Sequence, residues 1–176
     1  MYNMDELKKE NLKDNFFQLM MEYPYLSDPE EKKQLLQKAM KFANQIPEFR
    51  GWPQDDVAFW NAEAFMWETK AGSGLRKEIE NEITPRLSKK NLDLGSGSIC
   101  LPSSVSLDYS PEMLAFNPNQ NKILHNLENP LPFTAESFDS ATAVFIFNYI
   151  RDLPKLISEI KRVLITGGKL FIVQPA

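Results

Sequence analysis

Apolar positions recur at two different periods along this chain, and the change falls near residue 90. Residues 4–23 carry Leu7, Phe16, Leu19 and Met20 among charges, a spacing that predicts an amphipathic helix. "SDPEEKKQLLQKAMKFANQ" predicts a second helix with a defined start. Asp28 suits the N-cap, Pro29 the first helical position, and Glu30 and Glu31 the positive helix end. Leu35, Leu36, Met40 and Phe42 form its apolar stripe. "IPEFRGWP" (46–53) interrupts the pattern with two prolines and a glycine. A third helix is predicted over 55–70, then a Gly-Ser-Gly break at 72–74 and a fourth helix over 75–83.

From residue 90 onward, short apolar runs alternate with helical stretches. Strands are predicted at 90–94, 105–108, 122–124, 141–147 and 169–173. Helices are predicted at 111–116, capped by Ser110 with Pro111 next, and at 153–164, closed by Gly167-Gly168. Alternating strands and helices imply a parallel sheet. The run "ATAVFIF" is apolar almost throughout, as a central strand covered on both faces should be. The expected fold class is α/β: an open parallel sheet of about five strands with an N-terminal helical extension. The expected division is a helical extension at 1–50 and an α/β domain at 51–176, its core at 88–176.

Composition narrows the partners. Of 176 residues, 43% are hydrophobic and 25% charged, an ordinary globular balance. The net charge of -4 argues against a broad basic surface, so nucleic acid is not an expected partner. The single cysteine, Cys100, excludes an internal disulfide framework and fits a reducing compartment. The charged start "MDELKKENLKD" holds no apolar run of signal-peptide or membrane-span length, so the reading is cytoplasmic, with no membrane partner. His125 has no Cys or carboxylate cluster beside it, and no metal is expected.

The chemistry concentrates in "NLDLGSGSICLPSSVSLDYS", residues 91–110. A buried strand ends in Asp93 and opens into Gly95-Ser96-Gly97-Ser98, and a second strand ends in Asp108. In open α/β sheets, ligands bind beyond the carboxyl ends of strands where the strand order reverses. Glycines let a backbone approach a ligand closely. A carboxylate ending the second strand can accept hydrogen bonds from the vicinal hydroxyls of a ribose. Asp108 is therefore the leading ligand-contact candidate.

These residues resemble the class I S-adenosylmethionine-dependent methyltransferases, above all the small-molecule group related to quinone and sterol methyltransferases. Four stretches carry the resemblance in the family's order: "NLDLGSGS", "VSLDYSPEML", "LENPLPFTAESFDSATAVFIFNYI" and "LISEIKRVLITGGKLFIVQP". They span residues 91–175, about half the chain. The resemblance implies S-adenosyl-L-methionine as cofactor and the strand order 3-2-1-4-5. It places Asp93, Gly95, Ser96 and Gly97 around the methionine part and Asp108 on the ribose. Asn126 and Leu127 would read the adenine edge, with Tyr109 and Met113 flanking it. Asn148 and Tyr149, placed at the end of the fourth strand, are the catalytic candidates. "FNYI" is not the Asn-Pro-Pro-Tyr motif of amino-directed nucleic-acid methyltransferases, so that substrate class gets no support, and the resemblance to the small-molecule group implies a small-molecule acceptor. Several positions depart from the pattern. Ser98 stands at the third glycine position, Asn126 where the family usually has Asp, and Thr166 where Pro precedes Gly-Gly. The chain ends after the fifth strand, where the family adds two more. A second copy, a partner chain, the N-terminal region or a longer natural chain is expected to cover that edge.

Nine residues, Ser96 to Ser104, separate Gly95 from Val105, too few for the usual crossover helix of about a dozen residues or more. A dinucleotide needs that helix's N-terminus for its pyrophosphate. S-adenosylmethionine has no phosphate, so the gap penalises a nicotinamide or flavin reading most. The segment "FWNAEAFMWETKAGSGLR", with Trp60, Phe65 and Trp67, is the expected replacement wall; core packing is the competing reading of its aromatics. Glu68, Lys70 and Arg76 are equal candidates for the charged methionine end. Two functions stay open: methyl transfer to an unidentified small molecule, or non-catalytic cofactor binding on a degenerate methyltransferase fold.

Overall fold

The computed structural model describes residues 4–70, 73–87 and 89–174, with side chains at all of these except 4–7, 68–70 and 73. The chain forms two compact units, one up to Met66 and one from Trp67. The division falls inside the third helix.

The first unit is helical. α1 (Met4–Glu22), α2 (Pro29–Ala43) and α3 (Asp56–Lys70) lie where the sequence predicts helices. Asp28 caps α2 by accepting the Glu30 amide at 2.7 Å, a contact of about 1 kcal/mol in helices generally. Phe16 is fully buried at the centre, its ring 5.0 Å from Trp52 and 5.3 Å from Phe49. Ala39, Ala43 and Ala62 let the helices approach this aromatic cluster.

The second unit opens with α4 (Ser73–Ile83), which starts two residues before its expected position; Gly72 lies outside the described residues. Among the described residues, five strands form an all-parallel sheet of order β3-β2-β1-β4-β5. They are β1 (Asn91–Leu94), β2 (Ser104–Asp108), β3 (Lys122–Leu124), β4 (Phe138–Val144) and β5 (Leu164–Val173). α5 (Pro111–Phe116) joins β2 to β3, and α6 (Leu153–Val163) joins β4 to β5. Ser110 caps α5, its hydroxyl accepting the Met113 amide at 3.0 Å.

Two strand predictions need correction. β4 runs from Phe138 to Val144, three residues earlier than the apolar run implied, because pairing with β1 sets its span: Asn91 faces Ser140 and Leu94 faces Ala143. The apolar run continues past the sheet, where Phe145 turns the chain at φ 56°. α6 ends at Val163, and Leu164 already pairs with Phe138. Gly167-Gly168 therefore sits in a bulge within β5 and not at the helix end.

The two faces of the sheet differ. Leu92, Leu94, Val105 and Leu107 pack with Leu156, Ile160 and Val163 of α6 in one apolar cluster. The alternate positions, Asn91, Asp93, Ser104, Ser106, Ser140 and Thr142, are polar and buried. β4 is central and covered on both faces, as expected, but Ser140 and Thr142 make one of those faces largely polar. These groups satisfy one another, as buried polar groups must. Asn91 Nδ2 donates to Ser104 Oγ (2.9 Å) and Thr142 Oγ1 (3.1 Å), and Asn91 Oδ1 accepts from Ser140 Oγ (2.8 Å).

No helix lies between β1 and β2, as the spacing requires. Ile99 and Leu101 of this link pack with Ile79 and Ile83 of α4 and with Val144 and Val173. α4 thus packs on the shortened link together with the ends of β4 and β5.

Candidate functional site

The glycine loop leaves β1 where the strand order reverses, with β2 on one side of β1 and β4 on the other. Gly95 (φ +61°) and Gly97 (φ +55°) both hold the left-handed conformation that side chains disfavour. Their surroundings differ. A Cβ on Gly95 would lie 2.4 Å from Ile146 Cδ1, so this glycine admits the Ile146 side chain. A Cβ on Gly97 would meet only Met113 Sδ, at 3.7 Å. Gly97 is needed for its backbone angle alone.

Asp108 ends β2 and is 8% exposed. Its Oδ2 accepts the Gly97 amide at 2.8 Å and its Oδ1 the Ser110 amide at 2.8 Å. Burial raises its pKa, opposed by the amides of Ser110, Gly97 and Tyr109. An ionised carboxylate offers about four acceptor directions, so two bound amides leave room for further donors. Asp93 lies deeper. Burial pushes its pKa up to about 7, against the hydroxyl of Thr142, which donates to Oδ1 at 2.6 Å; Asp108 adds to the rise.

The other predicted positions gather around the ends of β1, β2 and β3. Ser96 is buried and its amide donates to Leu107 O at 2.9 Å, tying loop to strand. Met113 is buried beside Gly97, and Tyr109 is exposed. Asn126 Oδ1 accepts the Glu128 amide at 2.9 Å, a local turn that fixes the carboxamide. The Leu127 side chain enters the apolar core. His125 donates its amide to Asp108 O at 2.8 Å, and its buried Nε2 has no hydrogen-bond partner.

Asn148 and Tyr149 do not end β4. They lie in a 3-10 turn, Phe147–Tyr149, beyond Phe145, and both are exposed. The expected wall segment divides between the two units. In the first, Phe65 stacks on Phe17 (5.4 Å) and meets Phe49 edge-on (5.8 Å), while Trp60 meets Phe59 at 5.3 Å; core packing accounts for Phe65. In the second, Trp67 is half-buried. The side chains of Glu68 and Lys70 lie outside the described residues. Arg76 of α4 reaches the glycine loop, its Nη2 donating to Ser98 O at 2.7 Å.

Sequence reading missed the polar layer and Asn117, although "NLDL" and "SVSLD" place a polar residue at every second position of strands read as buried. Among the described residues, no group of three or more His, Cys, Asp or Glu can hold a metal ion. None of the described helices is long and apolar enough to cross a membrane.

The α/β unit has a Rossmann-like fold that it shares with solved S-adenosylmethionine-dependent methyltransferases. Residues 92–172 match the family described as "Methyltransferase domain" (Methyltransf_11). A demethylmenaquinone methyltransferase of Chlorobaculum tepidum is 31% identical over 121 residues, covering 62% of this chain and 48% of that one. That of Chlorobaculum parvum is 31% identical over 124 residues, with the same coverage. The chain thus spans about half the length of the curated relatives it matches. Among solved structures, a Methanococcus maripaludis protein assigned as an S-adenosyl-L-methionine-dependent methyltransferase aligns with a TM-score of 0.56 at 20% identity, over 64% of this chain and 62% of that one. A SAM-dependent methyltransferase of Thermotoga maritima aligns at 0.52 and 22% identity, over 64% and 59%. At these identities the structures establish the fold.

Proposed function

We propose that this chain binds S-adenosyl-L-methionine at the glycine loop and transfers its methyl group to a small-molecule acceptor. The observation that carries the reading is Asp108, held by two backbone amides at the end of β2 with acceptor capacity left for ribose hydroxyls. The bound cofactor supplies an electrophilic methyl on a sulfonium. The protein's part is to hold donor and acceptor in line, which needs no dedicated acid–base pair. In this reading Asp93, Gly95, Ser96 and Gly97 surround the methionine part, and Arg76, already at the Ser98 carbonyl, meets its carboxylate. Tyr109 and Met113 flank the adenine, and Asn126 with the Leu127 amide reads its edge. Asn148 and Tyr149 face the acceptor. The 31% identity to demethylmenaquinone methyltransferases supports an aromatic, quinone-type acceptor.

Titration calorimetry with S-adenosylhomocysteine and transfer of labelled methyl to an acceptor panel that includes demethylmenaquinone test the proposal. Binding with turnover supports it. Binding without turnover on any acceptor favours the non-catalytic reading, and no binding overturns both.

A further inference from the structure

The shortened link raises a question of backbone hydrogen bonding. In a helix starting at this loop, the first carbonyls would accept amides four residues further on. Here the chain returns to β2 without a helix, so those carbonyls need other donors, because unpaired buried carbonyls are costly.

A single side chain supplies two of them. Asn117 follows α5, is 1% exposed, and points its carboxamide at the loop. Its Nδ2 donates to Gly97 O at 2.9 Å and Ile99 O at 2.5 Å, with Ser96 Oγ at 3.3 Å. The carboxamide is itself fixed. Its Oδ1 accepts the Asn119 amide at 2.9 Å, and Asn119 Nδ2 reaches Ser104 O and Ser106 Oγ, both at 2.9 Å. The Asn117 amide donates to Met113 O at 3.1 Å, and its carbonyl accepts from Lys122 Nζ at 2.8 Å.

We propose that Asn117 is a positioning residue that takes the place of the absent crossover helix, holding the glycine loop in its binding shape through the Gly97 and Ile99 carbonyls. The proposal rests on the cofactor reading above for its functional consequence, but not for the loop anchoring itself. Its neighbours complete the scaffold: Leu107 O holds the Ser96 amide, Asp108 the Gly97 amide, and Arg76 the Ser98 carbonyl. Of these, Asn117 bonds two loop carbonyls and the Ser96 hydroxyl from one planar group.

Asn117→Asp tests this. It keeps the shape and the acceptor for Asn119 but removes both donors and sets a negative charge against two carbonyls. Amide exchange is followed in the ligand-free full chain, and S-adenosylhomocysteine affinity is measured alongside. Lys122→Met, which removes the two Nζ bonds to the backbone carbonyls of Leu114 and Asn117 but leaves the Asn117 carboxamide in place, is the control. The expected result is exchange at Gly97 and Ile99 at least tenfold faster in Asn117→Asp, with Leu92 and Leu94 unchanged. S-adenosylhomocysteine binding should weaken at least tenfold in that variant and less than threefold in Lys122→Met. Unchanged exchange at Gly97 and Ile99 overturns the proposal, as does faster exchange with unaltered affinity. Faster exchange in a protein whose wild type binds no S-adenosylhomocysteine upholds the anchor and overturns the cofactor reading instead. If Asn117→Asp lacks a cooperative melt, Asn117→Ala is read in the same way. Failure of both to fold makes Asn117 a general folding residue and overturns its loop-specific role.

Discussion

Asp108 Oδ2 accepts the Gly97 amide at 2.8 Å, so the carboxylate that ends β2 grips the loop that leaves β1. The residue read from the sequence as a ligand contact is also a structural tie. Its orientation is set before any ligand arrives, and preorganisation of this kind lowers the cost of binding.

Asp108→Ala should therefore act twice. Loss of hydrogen bonds to a charged group costs about 1.5–3 kcal/mol in cofactor affinity, roughly tenfold or more. Release of Gly97 and Ser110 should also lower the melting temperature. Calorimetric titration with S-adenosylhomocysteine and a thermal melt read the two effects separately; an unchanged affinity in the folded variant would count against the ribose assignment.

The two glycines should differ on substitution. Gly97→Ala meets only the left-handed backbone penalty, about 1–2 kcal/mol. Gly95→Ala adds a collision with Ile146, and overpacking costs about 1–3 kcal/mol more. Adding Ile146→Ala to Gly95→Ala should recover part of that excess, as a double-mutant cycle in urea would measure.

Asp93 couples stability to pH. Its pKa is raised in the folded state, from 3.8 to about 7, so its contribution is fully present below about pH 4 and is lost as pH rises through 7. Between these limits wild-type stability should fall relative to Asp93→Asn, on the order of 1 kcal/mol per pH unit. Asn retains an acceptor for Thr142, so the variant isolates the charge. Parallel urea melts from pH 4 to 8 decide it, and a constant difference between the two proteins would rule the linkage out.

Asn148→Ala and Tyr149→Phe test the acceptor side. Both residues are exposed in the turn after β4, Tyr149 by 55%, so the variants should fold with unchanged melting temperature and S-adenosylhomocysteine affinity. If the two face the acceptor, kcat/KM falls at least tenfold. Full activity in both variants removes them from the catalytic candidates.

β5 pairs with β4 on one side and, among the described residues, with no strand on the other; Ile172 is 49% exposed. Such an edge templates pairing with another chain. If a second copy pairs there, light scattering at micromolar concentration finds a dimer in the wild type and a monomer in Ile172→Lys; coverage by further chain or by another element leaves both monomeric. A wild-type monomer with rapid exchange of the outward amides from Leu170 to Val173 would exclude pairing.

What the sequence determined by itself was governed by near neighbours. Asp28 and Ser110 mark helix starts because their caps reach amides two or three residues away. The absent helix between β1 and β2 was legible because nine residues cannot make that crossover. The placement of Gly95, Gly97 and Asp108 followed from strand alternation together with the family resemblance. The tertiary structure decided what depends on distant partners. β4 begins at Phe138 because register with β1 and β5 outweighs its own apolar run. Ser140 and Thr142 can be buried because Asn91 and Asp93 meet them across 49 or 51 positions of chain. Asn117 became a candidate only when folding set its carboxamide against Gly97 and Ile99, since an asparagine after a short helix otherwise reads as a cap or turn. A polar residue's role is fixed by the partner that satisfies it, and when that partner lies far along the chain, local pattern can show that a polar group is buried but not what it meets.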